Sequence, residues 1–443
     1  MLTSQRIRAA LAALILVAGL SLAPARAGSL PAETAYNVRE SYRLLSTSYY
    51  KPVEDGVLLD GALAGLIAQA HRKGVKLTLP ALHDLDTNVA LTRLDSAIAA
   101  AAVRLHVSPT DASYFAIDGM AKSVGDKYTV FLTPNDLKQF RDALDPEKIS
   151  GIGVIVAPDT ATGFIQAAYV VPGTPADKAG LQGGDDIVSV DGISTKGMQQ
   201  DGVTKILRGR TGTVAHVGTS RSGAALPVVA IVRAQVSPPT VIYRMLPDHV
   251  GYLAVFAFGQ ETPDQFNLAL QRVRDQGAQS LVIDLRNNGG GYVRSAIQIA
   301  QNFIANKPLL TVEQRGVPDQ TVDADGSATV TLPMAVLVNQ YSASASEITA
   351  GALQDDGAAL LVGAKTFGKG VMQDVTPLSD GSAIKITIAH YLTPSNRDIN
   401  LKGIVPDVLV EQNKDARFGD PIHDAQLRAA IAALQKKVAV KTP

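Results

Sequence analysis

Ser344, Glu347 and Lys369 are the side chains whose types and spacing could carry out a reaction. Lys369 sits in LLVGAKTFGKGVMQ, where Gly363 and Gly368-Lys369 spell the G-x-x-x-x-G-K of a phosphate-binding loop behind an apolar run that reads as a strand. Such a loop needs a Ser or Thr after the lysine to hold magnesium, and a helix whose N-terminus faces the phosphates. Here Gly370 follows, and VMQDVTPLSDG, with Pro377 and an Asp380-Gly381 turn, is strand and hairpin chemistry. The nucleotide-binding reading fails on both counts, so the lysine needs a different partner.

In SASASEI, Ser344 precedes a helix that places Ala345, Ile348, Ala352 and Leu353 on one face. With Glu347 it forms an S-x-x-E capping box. The same position suits a nucleophile, because first-turn N–H groups point outward and can stabilise an oxyanion. A serine hydroxyl then needs a base. A Ser/His/Asp triad lacks support: G-x-S-x-G is absent, and His390, in ITIAHYLTP, reads as a hydrogen-bonded core histidine. Two S-x-x-K pairs occur by chance, Ser48/Lys51 abutting Pro52 and Ser382/Lys385 straddling both faces of a strand. Lys369, reached across the fold, is the third choice. A neutral amine there requires lowering a pKa near 10.4 by about three units, roughly 4 kcal/mol. Burial without a carboxylate partner produces such shifts. Its neighbours Phe367, Gly368, Gly370, Val371 and Met372 are apolar or small, and the nearest acid in sequence is Asp374. Spacing makes this pair plausible without singling it out.

The elements around these residues fall into three zones. The chain has 443 residues, 46% of them hydrophobic, with 41 Lys+Arg against 41 Asp+Glu. That balance gives no reason to expect nucleic acid or an anionic membrane as partner. Arg6 and Arg8, the apolar run Ala9 to Leu22 and Ala25-Arg26-Ala27 read as a cleavable signal peptide over residues 1–27, implying export to the periplasm. No other segment is apolar enough to span a membrane. There are no cysteines, which excludes disulfides and thiolate chemistry, and no clustered metal-ligand spacing; neither metal nor cofactor is expected. Residues 28–148 read as a helical region. Residues 149–235 carry short runs (GIGVIV, FIQAAYVV, DDIVSVDG, VTKILRG, LPVVAIVR) with helical pattern only at Ala176 to Ala179 and Gln199 to Leu207, a small mostly-β module. Residues 236–415 alternate strand and helix, with LVIDLR, MAVLVN and ALLVG as buried strands: an α/β core. Residues 416–443 contain an amphipathic helix, DAQLRAAIAALQKKV, suited to a homo-oligomer contact or to packing on its own domain.

SASASEITAGALQDDGAALLVGAKTFGKGVMQ resembles the signature of the C-terminal processing (tail-specific) serine proteases. The resemblance implies a Ser/Lys dyad of Ser344 and Lys369, 369 − 344 = 25 positions apart, with Gln373 orienting the amine. DLRNNGGG resembles the family's D-L-R-N-N-P-G-G, which implies an oxyanion site from the N–H groups of Gly290 and Ala345; the family proline is Gly289 here. SGIGV, PADKAGLQGGDDIVSVDG and ILRGRTGT are similar to the family's inserted PDZ domain, and GIVPD and SVGDKYTVFLTP to its flanking segments. The fold so implied is α/β multidomain, with a ClpP/crotonase-like core. About forty-five residues, Gln69 to Ser113, look inserted.

A PDZ domain binds an extended C-terminus as an added strand. Gly151, Ile152, Gly153 and Val154 are the expected peptide-binding residues, and apolar tails of unstructured proteins or peptides the expected partners. Arg208 reads equally as a surface arginine or as a link between peptide binding and the active site. Asp284, Arg286 and Asn287 read as structural. The expected function is a serine endopeptidase acting near C-termini; the alternative is a catalytically silent PDZ-based adaptor.

Overall fold

The computed structural model describes residues 29–412 and 419–441. The signal-peptide reading of residues 1–27 lies outside them.

The helical region comprises α1 (Ala32–Ser48), α2 (Asp55–Arg72), α3 (Thr87–Leu105) and α4 (Pro109–Ser123), then β1 (Val130–Leu132) and α5 (Pro134–Leu144). Local signals set the starts. Asp86 and Ser108 accept first-turn N–H bonds for α3 and α4, and Thr133 forms a capping box with Asp136 for α5. Leu58, Leu66, Leu94, Ile98, Ile117 and Met120 build the helical core. The stretch that looked inserted supplies the end of α2, all of α3 and the start of α4.

The second unit contains β2 (Ile149–Gly151), β3 (Val154–Pro158), β4 (Ile165–Val170), α6 (Pro175–Lys178), β5 (Asp186–Val190), β6 (Ile193–Ser194), α7 (Gln200–Leu207), β7 (Val214–Arg221), β8 (Ala224–Ala225), β9 (Val229–Val232) and β10 (Ala234–Val236). Its main sheet runs β3-β4-β5-β7-β8, so β3 is an edge strand, while β2 pairs with β10 at the unit's entrance and exit. The helical pattern read at Gln199 to Leu207 is α7, although VTKILRG also stood among the β-branched runs: Val203 and Leu207 bury one face of it against the module's core. The longest strand, β7, was missed because Gly218, Thr219 and Ser220 dilute its apolar alternation.

The third unit holds β11 (Val241–Leu246), β12 (Val250–Val255), α8 (Thr262–Asp275), β13 (Ser280–Asp284), α9 (Val293–Ala300), β14 (Pro308–Gln314), β15 (Val317–Asp323), β16 (Met334–Val338), α10 (Ala345–Asp355), β17 (Ala359–Gly363), β18 (Val371–Pro377), β19 (Ala383–Leu392), β20 (Val408–Leu409) and α11 (Ala425–Lys441). One sheet has the order β11-β12-β13-β16-β17-β20, parallel from β12 onward. Every residue of β12, β13 and β16 is buried, as continuous apolar runs require. Helices α8, α9 and α10 cover one face. The C-terminal helix packs on the other face through Leu427, Ala430 and Leu434. A second sheet joins β14, β15, β18 and β19 with β1 from the helical region, so the mostly-β module is inserted between β1 and the core it completes.

Candidate active site

Two strand-to-helix turns meet over the parallel sheet. After β13 the chain runs through Asn287 to Gly291, and after β16 through Asn339 to Ser344. A seam of hydrogen bonds joins them: Ala343 N–H to Asn288 O (3.1 Å), Ser346 Oγ to Asn288 O (2.9 Å) and Ser342 Oγ to Leu285 O (2.8 Å). Ser344 is held at φ 57°, ψ −115°, a conformation that a residue with a side chain adopts only at a cost. Gly290 (φ +100°) lies against it. A Cβ there would come within 2.7 Å of Ala343 O and 2.9 Å of Ser344 Cβ, so only glycine permits this approach.

Glu347 does more than close its helix. Its fully buried carboxylate accepts from Ser344 N–H (3.0 Å) and also from Lys369 N–H (2.8 Å), Gly368 N–H (2.8 Å) and Thr366 Oγ1 (2.5 Å). The buried Tyr391 hydroxyl donates to Lys369 O at 2.8 Å and lies 3.2 Å from Ser344 O. Ser344 and Lys369 are thus fixed by two shared anchors. Both line one cleft of about 730 Å³, bounded by Phe140 of α5, Gly289 to Gly291, Gln373 and Lys385.

The Lys369 Nζ lies 5.1 Å from the Tyr128 ring centroid and has no ion-pair partner among the described residues. Burial, reinforced by the charge of Lys385, lowers its pKa to about 8; Asp126 and Glu347 oppose this. The acids that bear on it are therefore not Asp374, its nearest in sequence, but two carboxylates brought in by the fold. Both are engaged elsewhere: Asp126 accepts from Tyr128 N–H (2.9 Å), Thr129 Oγ1 (3.0 Å) and Thr387 Oγ1.

Of the expected oxyanion donors, Ala345 N–H, at the first turn of α10, has no acceptor among the described residues. Gly290 N–H is adjacent but donates to Asn288 Oδ1 at 2.9 Å. The Gln373 amide lines the cleft and donates to Val371 O at 3.2 Å, not to Lys369. His390 bonds Glu313 (2.9 Å) and Asp398 (3.0 Å) on the far side of β19, in keeping with a hydrogen-bonded histidine of the fold. Asp284 and Arg286 belong to a buried cluster with Asp424, Gln426 and Tyr252 that anchors α11, and Asn287 exchanges amide bonds with Asn339.

A second cleft, of about 450 Å³, lies between β3 and α7. Gly151, Ile152, Gly153 and Val154 line it, as does Arg208. Ile152 O accepts from Ala176 N–H and Gly153 O from Val171 N–H, which pins the loop. The N–H groups of Ile152 and Gly153 have no acceptor among the described residues.

The chain thus pairs an edge strand beside a helix with a core that holds a serine at a strained strand-to-helix turn. A PDZ domain profile matches residues 166–218 and the profile of peptidase family S41 matches residues 249–410. The chain is 36% identical over 313 residues to carboxyl-terminal-processing peptidase 3, chloroplastic, of Arabidopsis thaliana, a match covering 67% of this chain and 60% of that one. It is 34% identical over 335 residues to the carboxyl-terminal-processing protease of Synechocystis sp., covering 74% and 78%. The solved photosystem II D1 C-terminal processing protease aligns over 86% of this chain and 94% of its own, with 27% identity and a TM-score of 0.47. This chain belongs to the carboxyl-terminal-processing proteases of peptidase family S41.

No helix among the described residues is long and apolar enough to cross a membrane. Tyr391, Tyr128, Asp126, Lys385 and Asn288 were not singled out by the sequence as parts of this site. For Asp126 and Tyr128 a signal existed in the SVGDKYTVFLTP segment, and for Asn288 in DLRNNGGG; Lys385 appeared only in a dismissed S-x-x-K pair, and Tyr391 is an ordinary strand residue.

Proposed function

We propose that this chain is a serine endopeptidase of exported proteins, acting near their C-termini, with Ser344 as nucleophile and Lys369 as general base. The observation that carries the reading is a desolvated amine without an ion-pair partner, sharing a cleft and two anchors with a strained serine. An apolar C-terminal tail adds to the free edge of β3, its carboxylate accepting from Ile152 and Gly153 N–H. The chain upstream enters the cleft. Ser344 Oγ attacks the scissile carbonyl carbon while Lys369 takes its proton. The oxyanion accepts from Ala345 N–H, and from Gly290 N–H once it replaces Asn288 Oδ1. Collapse expels the amine, which leaves with the proton from Lys369. Water then attacks the acyl-enzyme ester, returning a proton through Lys369 to Ser344. Gln373 orients the amine when its amide leaves Val371 O.

The test is cleavage of an unstructured, apolar-tailed peptide by Ser344→Ala and Lys369→Ala proteins, both expected to be inactive. Retained cleavage by either removes the dyad. Amidating the peptide's C-terminus is expected to weaken binding at the groove. A second reading, a silent peptide-binding adaptor, draws on the engagement of Gly290 N–H and Gln373 away from the reacting centre. A serine-reactive probe separates the two: labelling of Ser344 identifies the peptidase.

A further inference from the structure

Among the charged groups of the cleft that the dyad leaves unused, Lys385 is the one that is not exposed. Lys385 sits on β19 between Ile384 and Ile386, both of which pack into the helical core. Tyr391 holds the Lys369 carbonyl, and Lys385 lines the cleft with Lys369. The Lys385 Nζ lies 5.3 Å from the Phe140 ring centroid and has no ion-pair partner among the described residues. Pairing with Val130 on β1 and Val375 on β18 fixes its backbone from both sides.

We propose that Lys385 is a positioning residue for the reaction, its positive charge disfavouring a second ammonium in the cleft so that Lys369 is free to take the Ser344 proton. The inference rests on the dyad reading above. Two half-buried amines line one cleft, and the acids that offset them are Asp126 and Glu347, both committed to donors of their own. The other charged groups lining the cleft are Arg141, Arg294 and Asp374, the two arginines adding positive charge and all three exposed. Tyr128 presents a ring face to Lys369, and the Tyr391 hydroxyl is turned to backbone carbonyls. Burial lowers the Lys385 pKa as well, with Asp126 alone opposing. The repulsion acts on both amines, and burial, the largest cause for each, lowers the two together.

Trace labelling with acetic anhydride across a pH series, read by peptide mass spectrometry on the Ser344→Ala protein, follows each amine without any turnover. With Lys385 present, Lys369 is expected to titrate near 8 and Lys385 above it. Lys385→Met is expected to raise the Lys369 midpoint by about one unit, and Lys385→Arg to leave it in place. In the active protein, Lys385→Met then loses about tenfold in kcat/KM at neutral pH, regained in alkali, with KM unchanged. A Lys369 midpoint unmoved by Lys385→Met overturns the proposal. So does a Lys385 that titrates below Lys369, a result needing no Lys385 variant. A failed dyad shows separately, as cleavage surviving Ser344→Ala.

Discussion

Glu347→Gln tests whether one buried carboxylate holds the serine turn and the lysine loop in register. Oε1 takes the Thr366 hydroxyl and Gly368 N–H; Oε2 takes Ser344 N–H and Lys369 N–H. A glutamine keeps one acceptor oxygen. In its best placement that oxygen serves Ser344 and Lys369, and the new NH₂ donates to the Thr366 hydroxyl, which already accepts from Ile404 N–H. Gly368 N–H is left without an acceptor, at a cost of about 1–3 kcal/mol. The surviving bonds lose the extra strength of an ionised acceptor, about 1 kcal/mol each. Burying an amide rather than a carboxylate returns part of this, leaving a net loss of about 3 kcal/mol. The melting temperature is expected to fall by roughly 5–10 °C. Cleavage is expected to fall by about 100-fold through misplacement of the reacting groups. Because the Glu347 charge favours the Lys369 ammonium, the acid limb of the residual activity should also move to lower pH. The assays are thermal unfolding and peptide cleavage across pH. A variant that melts and cleaves like the wild type would refute the shared-anchor argument.

Three further outcomes are expected. The Lys369 pKa is lowered to about 8, so kcat/KM should climb about tenfold per pH unit below that value and level off above it; a profile flat across neutrality would exclude Lys369 as the base. The same depression means that the unfolded chain binds this proton more tightly. Folding should therefore gain stability as pH rises from about 8 toward 10.5, a gain that Lys369→Met removes in urea titrations. Gly289 has open space around an added Cβ and no positive φ, so Gly289→Pro should stabilise by about 0.4–1 kcal/mol with cleavage retained; a lower urea midpoint would show that the turn rejects proline. Arg286→Met leaves Asp284 and Asp424 facing each other in a buried site, at a cost of about 3–5 kcal/mol, and should speed amide exchange across α11; unchanged exchange would count against an anchoring role.

The parts legible in the sequence were those encoded locally. Continuous apolar runs announced β13, β16 and β17, and an S-x-x-E pattern placed the start of α10 at Ser344. The phosphate loop was rejected on Gly370 in place of Ser or Thr and on strand chemistry after it, and the chain there does run into β18. What stayed hidden depends on tertiary meeting. A capping glutamate has two oxygens, and nothing near Glu347 in sequence says that three of its four donors come from Thr366, Gly368 and Lys369. Lys385 was dismissed with Ser382 because strand alternation parts the two, and that same alternation turns it toward the cleft. VTKILRG reads both ways, since Val, Thr and Ile favour strands, but the helical pattern over Gln199 to Leu207 is the reading that holds, with Val203 and Leu207 buried four apart.

The two clefts are joined by a short piece of chain, which gives the inserted module a physical reason to be where it is. From Pro134 the chain forms α5, whose Phe140 lines the serine cleft. Asp145 follows, and its carboxylate accepts from Gln260 N–H (2.6 Å) and from the Tyr292 hydroxyl (2.9 Å), one residue beyond the glycine turn. Lys148 then pairs with Glu261 at 2.8 Å, and β2 delivers Gly151 to Val154 to the peptide groove. On the opposite side, Arg272 of α8 bonds Asp177 of α6 at 2.7 Å, and Asp177 also accepts from Gly173 N–H. The groove is therefore fastened to the core at both ends. The stretch from Asp145 to Gly151 therefore touches both the turn that carries Gly290, through Tyr292, and the groove beside β3.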